Sequence, residues 1–440
     1  MSKTHIITIA VFIVLFSSIS LLAQSEKTIT GWSFGGVPAI AYNSDTGFTY
    51  GIIVNTYNYG DGSTYPEYLY SIYTEWSRTT KGSGINKLFF DSKYLLPAGI
   101  RLTGELSYLT EQALPFYGFN GYGSEYDPAF EISDDEHDDY DAALYRTRVF
   151  YRHERNITKI TADFQKQVLG DNLRGVVGFG FLNFKIGTVD IDKLNEGKDE
   201  ADKLPDTASL YDEFVTKGWI PDDQKEGGLN NYLKFGLVYD TRDNEPNPMS
   251  GIWTEALLTQ AAGFMGSDFS YTTLTMTHRQ YFTLIPKNLS LTYRLGYQGV
   301  VAGDAPFFAL PFYQSSYKVE EGLGGSKSLR GIMKNRVVGN AVGFGNLEAR
   351  WKFLRTVVFN QNLYLALNVF VDGGQVISQY SNDAYDPDTI DGPEEKLHLS
   401  YGGGLRIALN ENFIIAVDYG LAADEQDGSS GLYIGLGYLY

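Results

Sequence analysis

The C-terminal third of the chain alternates strictly between apolar residues and polar or small residues. In residues 340–353, every second position is apolar or small, and the positions between them are mostly polar. The same alternation runs through residues 363–372, 397–409, 413–421 and 432–440. The polar or small faces carry Asn346, Glu348, Arg350, Lys352, Asn368, Asp372, Arg406, Asp418 and Gly420. A two-residue period of this length predicts β-strands with one apolar and one polar face.

Three further properties favour a membrane barrel over a soluble sandwich, in which the apolar face would turn inward. The predicted strands run about 10–14 residues, which suits a tilted membrane crossing. Aromatic residues concentrate near strand ends, as they do at membrane interfaces. Short and long connections alternate, as periplasmic turns and surface loops do in such barrels. The short connections are 96–99, 168–172, 285–288 and 410–412, and the long ones are 111–141, 189–228 and 303–339.

We therefore predict an all-β fold, a sixteen-stranded antiparallel transmembrane β-barrel. The predicted strands are residues 31–43, 47–57, 66–78, 85–95, 99–110, 142–168, 172–188, 229–240, 251–261, 269–283, 288–301, 339–354, 361–374, 396–409, 412–422 and 430–440. Segment 142–168 is long enough for two strands. The even number places both ends of the barrel on the side of the short turns, the periplasmic side.

The N-terminus reads as a secretory signal peptide. Lys3 and His5 precede an apolar stretch from Ile6 to Leu22, and Ala23 precedes the expected cleavage point. We therefore predict a signal peptide at residues 1–23, a short periplasmic lead at 24–30 and the barrel at 31–440.

Composition narrows the class of protein further. The net charge of −18 and the isoelectric point near 4.7 argue against a nucleic-acid partner. No later run of about 18 apolar residues exists, which excludes a helical membrane protein. The chain has no cysteine, which excludes a lipid anchor and disulfides. Together with the signal peptide, these observations predict a protein of the outer membrane of a Gram-negative cell.

One long connection carries an unusual glycine-rich segment. Residues 322–332 read Gly-Leu-Gly-Gly-Ser-Lys-Ser-Leu-Arg-Gly-Ile, in which Gly324, Gly325 and Gly331 frame Arg330. Such glycines let a backbone turn tightly and approach a neighbouring surface closely. If the chain forms a barrel, the polar lumen would accommodate the framed arginine.

This segment resembles the sixth-loop signature of the BamA/TamA-type outer-membrane barrels, the bacterial surface antigen superfamily. Residues 346–350 and 369–374 also look like that family, as does segment 237–243 with Asp240, Arg242 and Asp243. The resemblance implies a sixteen-stranded barrel whose long sixth surface loop folds into the lumen. It also implies that the loop arginine contacts an acidic wall residue and that Asp240, Arg242 and Asp243 mark a periplasmic turn.

Two carboxylates are candidate partners of Arg330. Glu348 and Asp372 lie on the polar faces of the two strands that follow the loop. An arginine between two shielded carboxylates would make charge-assisted, bidentate hydrogen bonds. Ile332 stands where the family usually has an aromatic residue after the arginine-glycine pair. We predict a lock between loop and lumen wall formed by these side chains and the loop glycines.

Both ends of the barrel add expectations that come from the resemblance. Most of the family carries periplasmic POTRA repeats, and the predicted lead leaves no room for them, so the chain looks like the subgroup without them. The last predicted strand carries Tyr438 and Tyr440. By resemblance they form a C-terminal assembly signal, which makes the protein a client of the cell's barrel-assembly machinery.

The resemblance predicts a protein that inserts or translocates protein or lipid at the outer membrane. Its partners would be outer-membrane lipid and unfolded protein or lipid clients, and we expect no cofactor. A passive, porin-like channel for small polar solutes is the first alternative, because cationic residues that face the lumen amid carboxylates suit a polar pore. These residues are Lys234, Arg294, Arg350, Lys352 and Arg406.

An outer-membrane hydrolase is the second alternative, and the sequence disfavours it. There is no Gly-x-Ser-x-Gly motif. His398 faces the predicted lumen, but no serine, histidine and acid converge in the predicted strands. Ser315 and Lys318 fit a Ser-x-x-Lys pattern that arises easily by chance. The acidic run 134–141 matches no calcium-loop spacing. We therefore predict no catalytic residue and no metal site, and we interpret the acidic loops as solvated surface.

Overall fold

The structure is a computed structural model that describes residues 27–43, 47–133, 141–359, 361–389 and 393–440. The predicted signal peptide lies outside the described residues, as do residues 24–26 of the predicted lead and residues 134–140 of the acidic run. In the described part of the chain, no helix is both long and apolar enough to cross a membrane.

Antiparallel β-strands make up most of the described chain. The strands are β1 (Trp32–Pro38), β2 (Ala41–Asn43), β3 (Gly47–Asn58), β4 (Tyr70–Thr79), β5 (Gly84–Ser92), β6 (Arg101–Pro115), β7 (Arg152–Leu169), β8 (Leu173–Gly187), β9 (Gly227–Leu229), β10 (Tyr232–Asp240), β11 (Gly251–Ala261), β12 (Tyr271–Ile285), β13 (Leu289–Gly303), β14 (Phe312–Gln314), β15 (Val319–Glu321), β16 (Ala341–Val358), β17 (Gln361–Ser378), β18 (His398–Leu409), β19 (Phe413–Ala422) and β20 (Ser430–Leu436). The α-helices are α1 (Ile191–Asn195) and α2 (Leu210–Thr216). Short 3₁₀ turns lie at Pro97–Gly99, Gly121–Gly123, Pro128–Phe130, Glu200–Asp202, Gly263–Met265, Phe307–Ala309, Pro387–Thr389 and Glu425–Asp427.

Eighteen of these strands form one antiparallel sheet. β1 and β2 make one crossing, because both pair with β3. β9 and β10 likewise make one crossing, because both pair with β8. β14 and β15 form a separate hairpin. The described sheet therefore has sixteen crossings, which confirms the predicted sixteen-stranded barrel.

The side chains divide between an apolar outer face and a polar lumen. On β16 and β17, Trp351, Val369 and Val371 are exposed, whereas Glu348 and Asp372 on the opposite faces are fully buried. This division suits a wall with hydrocarbon outside and a polar interior. The faces assigned from the alternation are therefore confirmed for these strands.

Several predicted strands are longer than the observed ones, and two of them are shorter in the structure for a clear physical reason. Segment 142–168 enters the sheet only at Arg152, because Phe150 and Tyr151 instead pack with Tyr117 in an aromatic cluster above the barrel. The predicted strand 430–440 ends at Leu436. Gly437 follows with a φ of 84°, a left-handed conformation that turns the chain out of the sheet.

The long connections cover the extracellular end of the barrel around a buried aromatic core. This core includes Phe116, Phe119, Tyr211, Phe214, Phe307, Phe308, Tyr380 and Tyr385. Helix α2 is anchored there by Tyr211 and Phe214, and Ser209 and Asp212 form a capping box at its N-terminus. The solvated loop expected at 189–228 thus contributes a buried helix face.

The first and last strands do not pair with each other. β1 pairs with β3 and β20 pairs with β19, and no backbone hydrogen bond joins β1 to β20 in the described residues. Side chains connect this region instead: Asn410 Nδ2 donates to Ser33 Oγ at 3.3 Å, and the Tyr57 hydroxyl donates to the Asn412 carbonyl at 2.9 Å. We call the boundary between β1 and β20 the seam.

Candidate functional site

The sixth surface loop, residues 304–340, folds back into the barrel between β13 and β16. Its β14–β15 hairpin and its glycine-rich segment lie against the inner wall. An apolar cluster joins loop and wall, and it contains Tyr313, Leu323, Leu329, Ile332, Val337, Val342, Phe344 and Val376. Ile332, which replaces the family's usual aromatic residue, is 1% exposed in this cluster. An aliphatic side chain therefore fills the docking position here.

Arg330 is fully buried among three carboxylates. Its Nε and Nη2 lie 2.9 and 3.0 Å from the two oxygens of Asp372, whose Oδ2 also accepts from the Arg330 backbone N–H at 3.1 Å. Nη1 lies 3.7 Å from Glu348 and 3.5 Å from Asp418. The guanidinium carbon lies 3.4 Å from the centroid of the Phe370 ring. The structure thus brings the predicted Arg330, Glu348 and Asp372 together.

Charge is balanced within this cluster. The second carboxylate partner of the loop arginine, Glu348, also contacts Arg350 Nη2 at 3.4 Å. Asp418 binds Arg406 in a bidentate way at 2.8 and 2.9 Å. Three arginines therefore face three carboxylates, which offsets the cost of removing these charges from water.

Burial by itself would lower the pKa of Arg330. Glu348, Asp372 and Asp418 outweigh this effect and raise its pKa above the ordinary value. These carboxylates therefore favour the charged form of the loop arginine.

Two glycines allow the loop backbone to touch the wall. Gly331 has a φ of 100°, and a Cβ added there would lie 2.7 Å from the Leu421 nitrogen. From the opposite side, a Cβ on Gly420 would lie 2.6 Å from the Arg330 carbonyl carbon. The Gly331 N–H also donates to the Tyr433 hydroxyl at 3.0 Å. Loop and wall thus meet backbone to backbone at this point.

Gly324 and Gly325 shape the turn that precedes the arginine. Both have positive φ, and a Cβ on Gly324 would lie 2.0 Å from the Met333 carbonyl oxygen. The Gly325 N–H donates to the Ile332 carbonyl at 2.8 Å. The glycine frame therefore closes the segment on itself and presents Arg330 at its tip.

Sequence reasoning missed several members of this cluster. Asp418 and Gly420 lie on the small or polar face assigned to the fourth alternating segment, but nothing in that pattern gives their depth in the lumen. Phe370, whose ring stacks on the loop arginine, lies on the same face of β17 as Asp372. The sequence signal for this contact is an aromatic residue two positions before Asp372, on the same face of the strand.

The motif predicted at a periplasmic turn lies at the end of β10. Asp240 accepts from Arg242 Nε at 2.9 Å and pairs with Arg174 at 2.8 Å. Asp243 Oδ1 accepts from the backbone N–H groups of Met249 and Ser250 at 2.9 and 3.2 Å. These bonds give the turn between β10 and β11 a defined shape.

The alternation places Tyr438 and Tyr440 on the same face as Leu432 and Ile434, but they lie in the lumen, whereas Leu432 and Ile434 are exposed. The Arg350 guanidinium lies 4.4 Å from the Tyr438 ring and 5.0 Å from the Tyr440 ring. Arg350 Nη2 also donates to the Tyr440 backbone oxygen at 2.9 Å. The inward turn at Gly437 is the physical reason. An assembly signal at these tyrosines stays a prediction.

The residues considered for a hydrolase take up other contacts. The Lys318 amine lies 2.5 Å from the Glu320 carboxylate. The backbone carbonyl of Lys318 accepts a hydrogen bond from the Ser315 hydroxyl. His398 lies between Asp427 at 2.6 Å and Glu395 at 3.3 Å. In the described structure, the first set of contacts lies within the sixth loop, and the second joins the start of β18 to neighbouring loop residues.

The sixteen antiparallel crossings, the apolar outer face and the polar, loop-filled lumen define a membrane-spanning β-barrel. A model of the Omp85 superfamily domain matches residues 70–439, and the chain therefore belongs to the Omp85 superfamily, a family of outer-membrane proteins. No curated protein matches the chain.

Two solved structures share this fold. BamA from Haemophilus ducreyi lacking POTRA domains 1–3 aligns with a TM-score of 0.52 at 16% identity, over 93% of this chain and 70% of that one. CdiB from Escherichia coli aligns with a TM-score of 0.52 at 10% identity, over 94% of this chain and 62% of that one. At these identities the likeness shows the barrel fold alone.

Proposed function

We propose that this barrel inserts or translocates protein or lipid at the outer membrane through the seam between β1 and β20. The observation that carries the proposal is the missing backbone pairing at this seam in the described residues. Unpaired backbone N–H and C=O groups that face hydrocarbon each cost several kcal/mol. Such edges gain free energy by pairing with an added strand, which is how a protein client would engage them.

Apolar side chains beside the seam are largely exposed on the outer face of the barrel. Phe34 on β1 is 79% exposed and Ile434 on β20 is 72% exposed. Both would contact lipid or a client in the membrane. β20 ends at Leu436, where the chain turns into the lumen. The last strand therefore stops short of the periplasmic end of the seam.

The arginine cluster of the docked loop braces the C-terminal side of the seam. Arg330 binds carboxylates of β16, β17 and β19, and the next residue, Gly331, donates to Tyr433 of β20. No charged contact of this cluster reaches β1 in the described structure. The C-terminal strands would therefore stay together while the first strands move, which supports opening at the seam.

The proposed role is non-enzymatic, and its clients are unfolded protein or lipid arriving at the membrane. By the same proposal, the protein reaches the outer membrane of a Gram-negative cell through its signal peptide and is itself assembled by the cell's barrel-assembly machinery. A passive diffusion channel is the competing function. The lumen-filling loop disfavours a wide pore and leaves room for a narrower passage.

A cross-link across the seam tests the proposal. The chain has no cysteine, so Val37→Cys with Leu436→Cys, which pack on the same apolar cluster, provides one specific pair. In cells that depend on this variant, bridging with a reducible bifunctional thiol reagent should change the outer-membrane proteome or lipid profile as depletion does. Reduction of the bridge should restore both.

The control places the same bridge between strands that already pair. Tyr419 and Leu432 are partners in the β19–β20 register, so Tyr419→Cys with Leu432→Cys should function whether bridged or not. A seam-bridged protein that functions as well as this control would contradict the proposal. So would depletion that leaves both profiles unchanged.

A further inference from the structure

The turn between β10 and β11 extends beneath the lumen. We call residues 241–250 the strap. Near its middle, Glu245 lies 2.8 Å from Lys93 Nζ and 3.2 Å from Arg101 Nη1. Arg101 in turn binds both oxygens of Asp91 at 2.6 and 2.8 Å. One side of the strap is therefore held at the periplasmic ends of β5 and β6.

A second contact holds the strap to a different part of the wall. The Asn247 side-chain amide donates to the Tyr364 hydroxyl at 2.8 Å, and both residues are buried. Tyr364 lies near the periplasmic end of β17 and belongs to a cluster that includes Tyr438. The strap thus reaches the same inner surface as the segment that follows β20.

The two attachment points lie on opposite walls of the barrel. The hydrogen-bonded path from β6 to β17 passes through β7, β8, β10, β11, β12, β13 and β16. This path is half of the sixteen crossings, and both attachment points are at the periplasmic ends of their strands. A ten-residue turn that touches both must cross the periplasmic mouth.

Internal contacts stiffen the strap. Asp243 accepts two backbone N–H bonds, and Asn244 accepts the Asn247 N–H at 3.0 Å. Arg242 stacks on Trp253 at 4.4 Å, and Trp253 stacks on Tyr317 of the sixth loop at 5.3 Å. The strap is therefore a shaped element that lies directly below the docked loop.

The Glu245 carboxylate is kept ionised. Burial would raise its pKa, but Arg101, Lys93 and Arg242 hold it well below the usual value. The attachment of the strap on this side is thus an ionic contact and not a hydrogen bond to a neutral acid.

Above the strap, the lumen keeps space that water can reach. Several charged side chains that pair with interior groups are nonetheless partly exposed: Lys87 at 28%, Lys318 at 34%, Glu321 at 39% and Lys334 at 29%. Lys87 pairs with the buried Glu105 on the inner face of β6, which places this exposed area inside the barrel. A polar aqueous space therefore lies between the docked loop and the wall formed by the early strands.

We propose that the strap is a gate at the periplasmic mouth, which closes an aqueous passage for ions and small polar solutes through the lumen. Release of Glu245 from Lys93 and Arg101 frees one attachment and opens the mouth. This passage runs along the barrel axis and is independent of the seam. It can operate whether or not the seam admits clients.

Conductance of the purified full-length barrel in planar bilayers tests the gate. Glu245→Gln removes the charge that Lys93 and Arg101 hold, and we expect a several-fold higher mean conductance than for the unaltered protein. Glu213→Gln is the matched control, because Glu213 pairs with Lys217 on the exposed side of helix α2 in the extracellular cap. It should conduct like the unaltered protein.

A reversible bridge provides the second measurement. Arg101→Cys with Glu245→Cys, joined by a bis-methanethiosulfonate reagent, should conduct as little as the unaltered protein. After reduction it should conduct as much as Glu245→Gln. Equal conductance of the bridged and reduced forms would overturn the gate, and so would equal conductance of Glu245→Gln and Glu213→Gln.

Discussion

Arg330→Ala is expected to lower the free energy of unfolding by about 3–5 kcal/mol, the cost of leaving buried charges without their partner. Asp372 would lose a bidentate contact at 2.9 and 3.0 Å, and Glu348 and Asp418 would lose a positive neighbour. The sixth loop would then be held by its apolar cluster and by contacts such as those of Lys334 with Glu111 and of Lys234 with the Ser315 carbonyl. Urea unfolding of the purified barrel in detergent, followed by tryptophan fluorescence, measures the change.

Two variants control this experiment. Arg330→Lys keeps the charge and loses the bidentate geometry, so it should fall between the unaltered protein and Arg330→Ala. Lys203→Ala breaks an exposed pair with Glu200 and should change stability by less than about 1 kcal/mol. If Arg330→Ala unfolds like Lys203→Ala, the arginine does not lock the loop to the wall.

Gly331→Ala is expected to detach the sixth loop from the wall. A φ of 100° carries a strain of about 1–3 kcal/mol for a residue with a side chain. The added Cβ would also lie 2.7 Å from the Leu421 nitrogen and 2.8 Å from the Gly420 carbonyl carbon. These are backbone atoms of β19, held by pairing on both sides, so the loop must move away. Lower stability and faster trypsin cleavage at Lys327 and Lys334 are the expected results.

The matched control for this substitution lies in the last strand. Gly435 has no atom within 4 Å of an added Cβ and no positive φ, so Gly435→Ala should leave both stability and cleavage unchanged. Equal cleavage rates for the two variants would show that close backbone approach at Gly331 is not required for docking.

The barrel architecture and the direction of each wall side chain follow from the sequence. A two-residue period places Glu348 and Asp372 on the lumen side, because a shift by one residue would expose every charged side chain to lipid. The strand count also follows, because each crossing needs its own apolar face. The ends of the strands were less predictable. In segment 142–168, apolar residues that belong to a surface cluster continue the alternation beyond the end of the sheet.

The contacts between particular lumen residues do not follow from the sequence pattern. Period-two alternation is the same at every step along a strand. It therefore predicts which face of the sheet a side chain lies on, but not its position along the barrel axis. Asp418 joins Arg330 only because the register of β18 with β19 and the path of the loop bring them to one level. No sequence-local signal carries that information.

The glycine-framed arginine, the lumen-facing acids and the sixteen crossings were determined by the sequence itself, because period and glycine placement act through local backbone geometry. The tertiary structure decided the unpaired seam, the inward turn after Leu436 and the strap that joins Glu245 to one wall and Asn247 to the other. These features depend on contacts between segments far apart in the chain. Such contacts form only when barrel closure sets the distances across the lumen.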